Sequence, residues 1–203
     1  MKTLNEISIL ILAAGEASRM QEVKQLLPLG QTNLLEHAVQ TARNSDAAAT
    51  KVVLGANREK IQQQIAFHNA EVVVNPHWKE GLGTSISAGI SAILQDRNQP
   101  EAVLVMLADQ PLVDSEHLNL LIKTSAGNKE KIIASDYGKH PGVPAVFPPH
   151  FFKELLTLKG DSGAKEMMKN RAGEVISISA KNKLIDLDTP EDYQQFLIDQ
   201  KHK

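Results

Sequence analysis

Residues 10–29 read Leu-Ile-Leu-Ala-Ala-Gly-Glu-Ala-Ser-Arg-Met-Gln-Glu-Val-Lys-Gln-Leu-Leu-Pro-Leu, and this stretch predicts the centre of the fold. It continues an apolar run over residues 7–12 that only Ser8 interrupts. Such a short, nearly continuous apolar run is typical of a strand buried on both faces of a parallel sheet. Small residues follow at positions 13–15. Because Gly15 has no Cβ, a ligand can approach the backbone of this loop closely.

Two cations, Arg19 and Lys24, follow in the same loop. A loop after a parallel strand lies at the carboxyl edge of the sheet, where open α/β folds bind ligands. Backbone N–H groups and cations at that edge suit a polyphosphate, although both residues can also be read as ordinary solvated loop charges. The loop fits neither the G-x-G-x-x-G fingerprint of dinucleotide binding nor the P-loop pattern G-x-x-x-x-G-K-[ST].

The composition is that of one soluble domain spanning residues 1–203. The chain has 22 basic and 24 acidic residues and a net charge of -2, so no basic excess favours nucleic acid or a membrane surface. It has 0 cysteines, which excludes disulfides and thiolate metal sites. The N-terminus lacks the apolar core of a signal peptide, and the run at residues 7–12 is too short to span a bilayer. We expect a cytoplasmic monomer.

Apolar strands and amphipathic helices alternate along the chain. Strands are predicted at residues 7–12, 52–54, 72–74, 102–107, 132–134, 143–147 and 175–178. Helices are predicted at residues 33–43, 58–67, 84–94, 151–158 and 164–168, with further helices that start at Asp114 and Thr189. This alternation predicts a three-layer α/β sandwich with a mostly parallel central sheet. The carboxyl ends of its strands bring Gly15, Asn75 and Asp109 to one edge.

Two acidic segments are candidates for a metal site at this edge. The strand at residues 102–107 delivers Asp109, which can also be read as a turn former before Pro111. A carboxylate beside a phosphate site is normally separated from it by a divalent cation such as Mg²⁺. Asp186 and Asp188 are two apart and point the same way on an extended segment. Asp188 is the preferred second metal ligand, and its alternative role is at the entry to the last helix.

A glycine-containing loop, residues 81–83, leads into a helix that starts with Thr84 and Ser85. Hydroxyls at a helix N-terminus can hold a phosphate or a ribose. The alternative is that these residues are structural. The glycines would then form a turn, Thr84 or Ser85 would cap the helix, and Trp78 would pack in the core.

Two loops rich in proline and glycine, around residues 140–147 and 160–164, are candidates for an acceptor pocket or are simple turns. Spacing assigns no histidine as a catalytic base. Among the histidines, His140 is the best placed for a role at the site, and it can also be an ordinary histidine of a surface loop.

Together these motifs resemble those of the molybdenum cofactor cytidylyltransferases, which have the Rossmann-like nucleotidyltransferase fold. The resemblance covers essentially the whole chain. It is carried by Leu12-Ala-Ala-Gly15, Arg19-Met20, Lys24-Gln-Leu-Leu27, Asn75-Pro76, Trp78, Gly81-Leu-Gly-Thr-Ser85, Leu107-Ala-Asp-Gln-Pro111, Pro141-Gly-Val-Pro144, Gly160-Asp-Ser-Gly-Ala164 and Asp186-Leu-Asp-Thr-Pro190. The guanylyl branch typically has L-A-G-G where this chain has Ala14, so the resemblance implies CTP rather than GTP. Gln21 stands where the family usually has glycine.

The resemblance implies transfer of CMP from CTP to molybdenum-bound molybdopterin, with release of pyrophosphate and with Mg²⁺ or Mn²⁺ as cofactor. It implies a nucleotide site formed by Leu12, Ala13, Ala14, Gly15, Arg19, Lys24, Asn75 and Ser85. Catalysis would rest on Arg19, Lys24 and Asp109, and the metal on Asp109 and Asp188. The acceptor would contact His140, Gly142, Pro144 and Asp161.

Three alternatives remain open from the sequence. The first is a guanylyltransferase on the same acceptor, and the second is a cytidylyl- or uridylyltransferase on another phosphorylated small molecule. The third is a non-catalytic chaperone that hands the cofactor to a molybdoenzyme, for which Gln21 is the only support. The resemblance also implies, as a partner, a molybdoenzyme that receives the product.

Overall fold

The computed structural model describes residues 6–16, 20, 22–161 and 163–201. The strands are β1 Ile7–Ala13, β2 Pro28–Leu29, β3 Thr32–Asn33, β4 Ala49–Leu54, β5 Glu71–Val74, β6 Ala102–Leu107, β7 Ile132–Asp136, β8 Pro141–Phe147 and β9 Val175–Ser179. The helices are α1 Leu34–Arg43, α2 Arg58–Gln64, α3 Leu82–Leu94, α4 Ser115–Ala126, α5 Phe152–Leu156, α6 Ala164–Asn170 and α7 Pro190–Lys201. Short 3-10 turns lie at Lys24–Leu26, Trp78–Glu80, Pro149–Phe151 and Ala172–Glu174.

A sheet with the strand order β5-β4-β1-β6-β8-β7-β9 forms the centre of the molecule. Strand β1 pairs in parallel with β4 on one side and with β6 on the other. Strand β8 returns from a hairpin and is antiparallel to both β6 and β7, while β7 and β9 are again parallel. The prediction of a mostly parallel sheet is confirmed, with β8 as its antiparallel member.

The connections make β1 and β6 a topological switch point. The chain leaves β1 through α1 toward β4 and β5, and then returns through α3 to β6 on the opposite side of β1. At such a point the loops after two neighbouring strands diverge and leave a crevice at the carboxyl edge. Gly15, Asn75 and Asp109 follow parallel strands at this edge, as the sequence predicts.

Strand β1 is buried on both faces, as its apolar run predicts. Ile9 and Ile11 belong to the apolar core that packs under α1, α2 and α4. Leu10 and Leu12 belong to the opposite core, under α3, α5 and α6. Gly89 of α3 lies against Leu10, where a Cβ would clash, so a glycine lets α3 pack closely on the sheet. Helices on both faces of the sheet complete the predicted three-layer sandwich.

The helix starts follow the predicted caps. The Asp114 side chain accepts a hydrogen bond from the His117 N–H at 2.9 Å. Thr189 and Asp192 form a capping box, in which the Asp192 N–H donates to Thr189 Oγ1 at 3.1 Å and Asp192 Oδ2 accepts from the Thr189 N–H at 2.9 Å. Such caps satisfy backbone donors that a helix leaves free at its first turn.

Several helix boundaries differ from the prediction: α5 is shorter than the predicted 151–158, α6 runs to Asn170 rather than ending at residue 168, and α3 and α2 also differ. Helix α3 begins at Leu82, two residues before Thr84, because Gly81 adopts a φ of 101° that turns the chain into the helix earlier. Helix α2 ends at Gln64 rather than at residue 67, because Ile65 is already extended with its side chain in the core. No helix in the described part of the chain has the length and apolar character needed to cross a membrane.

Candidate functional site

A cleft of about 440 Å³ opens at the carboxyl edge of β1 and β6. Its described wall is formed by the end of β1 and the loop after it, the turn that contains Lys24, the first residue of α1, the segment from Trp78 into α3, the end of β6 and the loop that contains Asp161. The predicted site residues in its wall are Leu12, Ala13, Ala14, Gly15, Lys24, Ser85, Asp109 and Asp161. No atom of the described residues lies within 4 Å of the position that a Cβ on Gly15 would take. The structure therefore brings most of the predicted nucleotide site together in one cleft.

Lys24 is the central charge of this cleft. Its Nζ lies 2.6 Å from Asp109 Oδ2 and 2.9 Å from Asp188 Oδ1, and its side chain is only 10% exposed. Burial alone would lower the pKa of the Lys24 ammonium, but the two carboxylates outweigh it and raise the pKa above its usual value. Lys24 is therefore held as a cation at neutral pH, close to the cleft.

A third apolar cluster explains how Asp188 reaches Lys24 across 164 positions of sequence. Leu187 and Tyr193 pack with Leu27 and Leu34 beside the turn that carries Lys24. The Tyr193 hydroxyl also donates a hydrogen bond to the Pro28 carbonyl at 2.7 Å. The segment before α7 is thereby fixed against the Lys24 turn.

Asp109 has a carboxylate oxygen that is free to act as a metal ligand. Its Oδ2 pairs with Lys24, while its Oδ1 is buried and has no hydrogen-bond partner in the described chain. An unpaired buried carboxylate oxygen is costly, and a cation would relieve that cost. Among the described residues no group of three or more His, Cys, Asp or Glu side chains is arranged to hold a metal. Two carboxylates with further oxygens from a substrate's phosphates are the usual way in which proteins bind Mg²⁺.

Asp186 has a different environment from Asp188. It accepts a hydrogen bond from Gln110 Nε2 at 2.8 Å, and Gln110 also donates to the Tyr137 hydroxyl at 2.6 Å. Burial, together with the nearby charges of Asp109 and Asp188, raises the pKa of Asp186. Burial and the charge of Asp186 raise the pKa of Tyr137 to about 12, so its hydroxyl stays neutral. Asp188, and not Asp186, pairs with Lys24.

Gln25 is a site residue that sequence reasoning missed. Its Nε2 donates to the carbonyls of Ala13, at 2.8 Å, and Gly15, at 2.9 Å, and the residue is 6% exposed. One amide group from the Lys24 turn thus bonds two carbonyls at the start of the loop after β1. The only signal in the sequence is a polar residue directly after Lys24 and before two leucines, which does not indicate what it bonds.

We expect Gln25→Leu to loosen this loop. The change leaves two carbonyls without their donor, and an unsatisfied buried polar group costs about 1–3 kcal/mol. The free energy of unfolding in urea should fall by about that amount, and nucleotide binding should weaken. Trp78 is the only tryptophan and lies in the cleft wall, so its fluorescence reports the binding.

The matched control is Gln62→Leu, on the exposed face of α2. It should change stability by no more than about 0.5 kcal/mol. Equal stability of the two variants would show that Gln25 does not hold the loop.

Asn75 lies behind the cleft wall rather than in it. It is 2% exposed, and its Nδ2 donates to Thr84 Oγ1 at 2.9 Å and to Ser85 Oγ at 3.0 Å. Its Oδ1 accepts the His77 N–H at 2.9 Å. Asn75 therefore orients the hydroxyls at the start of α3, and of these residues Ser85 is the one that lines the cleft.

The four predicted acceptor residues separate into two groups. His140 and Asp161 line a second pocket next to the cleft. Gly142 and Pro144 are buried and are absent from the walls of both spaces. Gly142 instead makes room for Tyr137, since a Cβ on Gly142 would lie 2.5 Å from Tyr137 Cε2. Arg19 and Gln21 lie outside the described residues.

The mostly parallel α/β sheet matches the fold of nucleotidyltransferases, and its switch-point cleft contains Lys24 and Asp109. The chain belongs to the family of MobA-like NTP transferase domains, whose model matches residues 9–175. It is therefore a nucleotidyltransferase of the MobA-like family.

Known proteins are similar to this chain over nearly its full length. Purine catabolism protein PucB of Bacillus subtilis is 27% identical over 197 residues, which covers 90% of this chain and 91% of that protein. The crystal structure of Rv0371c from Mycobacterium tuberculosis H37Rv matches with a TM-score of 0.84 at 25% identity, over 97% of this chain and 100% of that one.

Two further solved structures provide comparisons for metal binding and for the fold. Rv0371c in complex with manganese matches with a TM-score of 0.80 and the same identity and coverage. Molybdopterin-guanine dinucleotide biosynthesis protein A from Archaeoglobus fulgidus matches with a TM-score of 0.70 over 96% of this chain and 99% of that one. At 17% identity it shows the shared fold. The manganese complex shows that a protein similar to this chain binds a divalent cation.

Proposed function

We propose that this chain transfers CMP from CTP to molybdenum-bound molybdopterin and releases pyrophosphate. The observation that carries the transfer reaction is the Lys24 ammonium, buried between Asp109 and Asp188 at the wall of the cleft. The choice of CTP and of the acceptor is supported by the resemblance of Leu12-Ala-Ala-Gly15 and the other motifs to the molybdenum cofactor cytidylyltransferases.

CTP would lie across the loop after β1. Gly15 has no Cβ and no described atom lies within 4 Å of where one would be, so phosphate oxygens could come close to the backbone N–H groups there. Ser85 would offer its hydroxyl from the opposite wall, held by Asn75. Gln25 keeps the loop in a fixed shape by bonding the carbonyls of Ala13 and Gly15.

Asp109, through its free Oδ1, and Asp188 would hold the divalent cation. When bound, Mg²⁺ or Mn²⁺ supplies positive charge to the phosphate oxygens of the nucleotide. The manganese complex of Rv0371c supports this cofactor. Lys24 already pairs with both carboxylates, so cation and lysine together would balance the charges of the two aspartates and the triphosphate.

In the reaction, an oxygen of the acceptor's terminal phosphate forms a bond to the α-phosphorus. The bond from the α-phosphorus to the β-phosphate oxygen breaks, and pyrophosphate leaves with the electron pair. Lys24 would stabilise the charge that builds up on the α-phosphate and on the leaving group. The assignment of a similar role to Arg19 remains a prediction from the sequence.

A phosphate acceptor is already an anion, so this reaction needs no strong general base. The described residues of the cleft wall include carboxylates and no histidine. The buried His117 has another role: its Nε2 lies 2.8 Å from Ser135 Oγ, and Ser135 donates to the Pro144 carbonyl at 2.7 Å. Burial lowers the pKa of His117, so it is held neutral as a structural residue.

We expect CTP to bind more tightly and to turn over faster than GTP. Parallel titrations of both nucleotides with Mg²⁺, followed by Trp78 fluorescence and by pyrophosphate release with molybdopterin, measure the preference. Ala14→Gly converts the loop to the L-A-G-G sequence of the guanylyl branch, and it should narrow the gap between the nucleotides. Tighter binding and faster turnover of GTP by the unmodified protein would reverse the assignment.

A further inference from the structure

Gln110 is a buried polar residue that no step of the proposed reaction uses. It directly follows Asp109 in the chain and is 4% exposed. Its Nε2 donates two hydrogen bonds, to Asp186 Oδ1 at 2.8 Å and to the Tyr137 hydroxyl at 2.6 Å. Its Oε1 is buried and has no hydrogen-bond partner in the described chain, which is costly. What Gln110 contributes to the structure is therefore its two donors.

These two hydrogen bonds connect three parts of the chain at the ligand edge of the sheet. Gln110 stands in the loop after β6, Tyr137 directly follows β7, and Asp186 belongs to the segment before α7. The Tyr137 hydroxyl donates in turn to the Val143 carbonyl of β8 at 2.7 Å. One amide group thus joins the loop after Asp109 to the β7–β8 hairpin and to the segment before α7.

The segment before α7 is attached to the cleft at three consecutive residues. Asp186 accepts the hydrogen bond from the buried amide, and the Leu187 N–H donates to the Asp109 carbonyl at 3.2 Å. Asp188 pairs with Lys24 at 2.9 Å, but its side chain is 58% exposed, so burial does not fix its position. A divalent cation on Asp109 and Asp188 would compete with Lys24 for these carboxylates. The attachments at Asp186 and Leu187 would then hold the segment in place.

We propose that Gln110 is a positioning residue for the metal site: by holding Asp186, it keeps Asp188 beside Asp109, so that both carboxylates can bind one divalent cation. Gln110 and Asp186 do not themselves bind the cation. A neutral amide suits this role, because it donates to Asp186 and adds no negative charge beside the three aspartates. The inference rests on the proposed function, to which it adds a residue that positions a metal ligand.

Binding of Mn²⁺ alone tests this role without any turnover. The EPR signal of free Mn²⁺ falls as the ion binds, and a titration gives the dissociation constant of each variant. Gln110→Met keeps an unbranched side chain of similar length and removes both donors. We expect it to raise the dissociation constant for Mn²⁺ at least about tenfold, as is typical when a residue that orients a metal ligand is lost. Gln62→Met, on the exposed face of α2, is the matched control and should leave this constant unchanged.

Two substitutions of Asp186 isolate the hydrogen bond from the charge. Asp186→Asn and Asp186→Leu remove the same negative charge and introduce side chains of similar size, but only asparagine keeps an oxygen that can accept from Gln110. We expect the asparagine variant to bind Mn²⁺ at least about fivefold more tightly than the leucine variant. Equal affinities would overturn the proposal. It would also be overturned if Asp186→Asn lost Mn²⁺ binding as completely as Asp188→Asn, because Asp186 would then be a metal ligand itself.

Tyr137→Phe separates the second hydrogen bond of Gln110 from the first. The change removes the hydroxyl but keeps the ring beside Gly142, and Gln110 can still donate to Asp186. The affinity for Mn²⁺ should therefore stay unchanged. Thermal melting of each variant measures the cost to the fold. A Gln110→Met protein that melts at a lower temperature, but binds Mn²⁺ as tightly as the unmodified protein, would show that Gln110 only stabilises the fold.

The outcomes distinguish the role of Gln110 from the reaction. Mn²⁺ binding that depends on Gln110, in a protein that transfers no CMP, would support the positioning role and contradict the proposed function. Turnover by Gln110→Met with an unchanged KM for Mg²⁺ would overturn the positioning role and leave the proposed function in place.

Discussion

Lys24→Ala is expected to lower kcat by about 10²–10³, equivalent to about 2.7–4 kcal/mol, with a much smaller effect on CTP binding. The reason is that Lys24 is a buried cation at the cleft, held charged by Asp109 and Asp188. It would meet negative charge that grows as pyrophosphate leaves, so its removal costs more in the transition state than in the bound ground state. Single-turnover rates and Trp78 fluorescence titrations separate the two effects.

The Lys24 variant needs a folding control, because two aspartates then lose their partner. Lys24→Ala should lower the melting temperature, and Mg²⁺ should raise it again by more than it raises that of the unmodified protein. Lys153→Ala removes an exposed lysine from α5 and should change activity and stability by no more than about 0.5 kcal/mol. A folded Lys24→Ala protein with unchanged turnover would show that the phosphate site is misplaced.

Asp109→Asn is expected to cause a loss of activity that depends on Mg²⁺. The amide keeps the size of the side chain, and the backbone hydrogen bond from the Leu187 N–H to the Asp109 carbonyl, at 3.2 Å, is unaffected. The carboxylate oxygen that is free to bind a cation is lost, so turnover at low Mg²⁺ should fall by about 10² or more. Raising Mg²⁺ should recover part of this loss by mass action.

Mg²⁺ titrations of turnover provide the measurement, and Asp46→Asn is the control. Asp46 is exposed at the other end of the sheet, two residues before Ala48, whose N–H bonds the Ile7 carbonyl. Its variant should follow the Mg²⁺ curve of the unmodified protein. If Asp109→Asn lost the same fraction of activity at every Mg²⁺ concentration, Asp109 would have a structural role only.

The sequence predicts the sheet and its ligand edge well, for a physical reason. Strands such as β1 and β6 are buried on both faces, so their sequences are apolar throughout and easy to recognise. Once the strands are parallel, the loops after them meet at one edge. Gly15, Lys24 and Asp109 can therefore be placed together from their positions relative to the strands.

Pairings between distant polar groups cannot be read from the sequence in the same way. Nothing near Gln25 in the chain indicates that its amide bonds two carbonyls of the preceding loop. Asparagine is a residue type that often binds ligands, but Asn75 lies behind Ser85 and outside the cleft wall. The antiparallel direction of β8 depends on a hairpin whose strands do not differ in pattern from parallel ones. These features depend on three-dimensional packing and not on local periodicity.

The most direct test of the proposed reaction measures pyrophosphate and labelled product together. The protein is incubated with CTP labelled at the α-phosphate, Mg²⁺ and molybdenum-loaded molybdopterin, and the same mixture without acceptor serves as the blank. We predict one pyrophosphate released for each labelled pterin dinucleotide formed, and neither product in the blank. Absence of pyrophosphate and labelled product, from a folded protein that binds CTP, would contradict the proposed cytidylyl transfer to this acceptor.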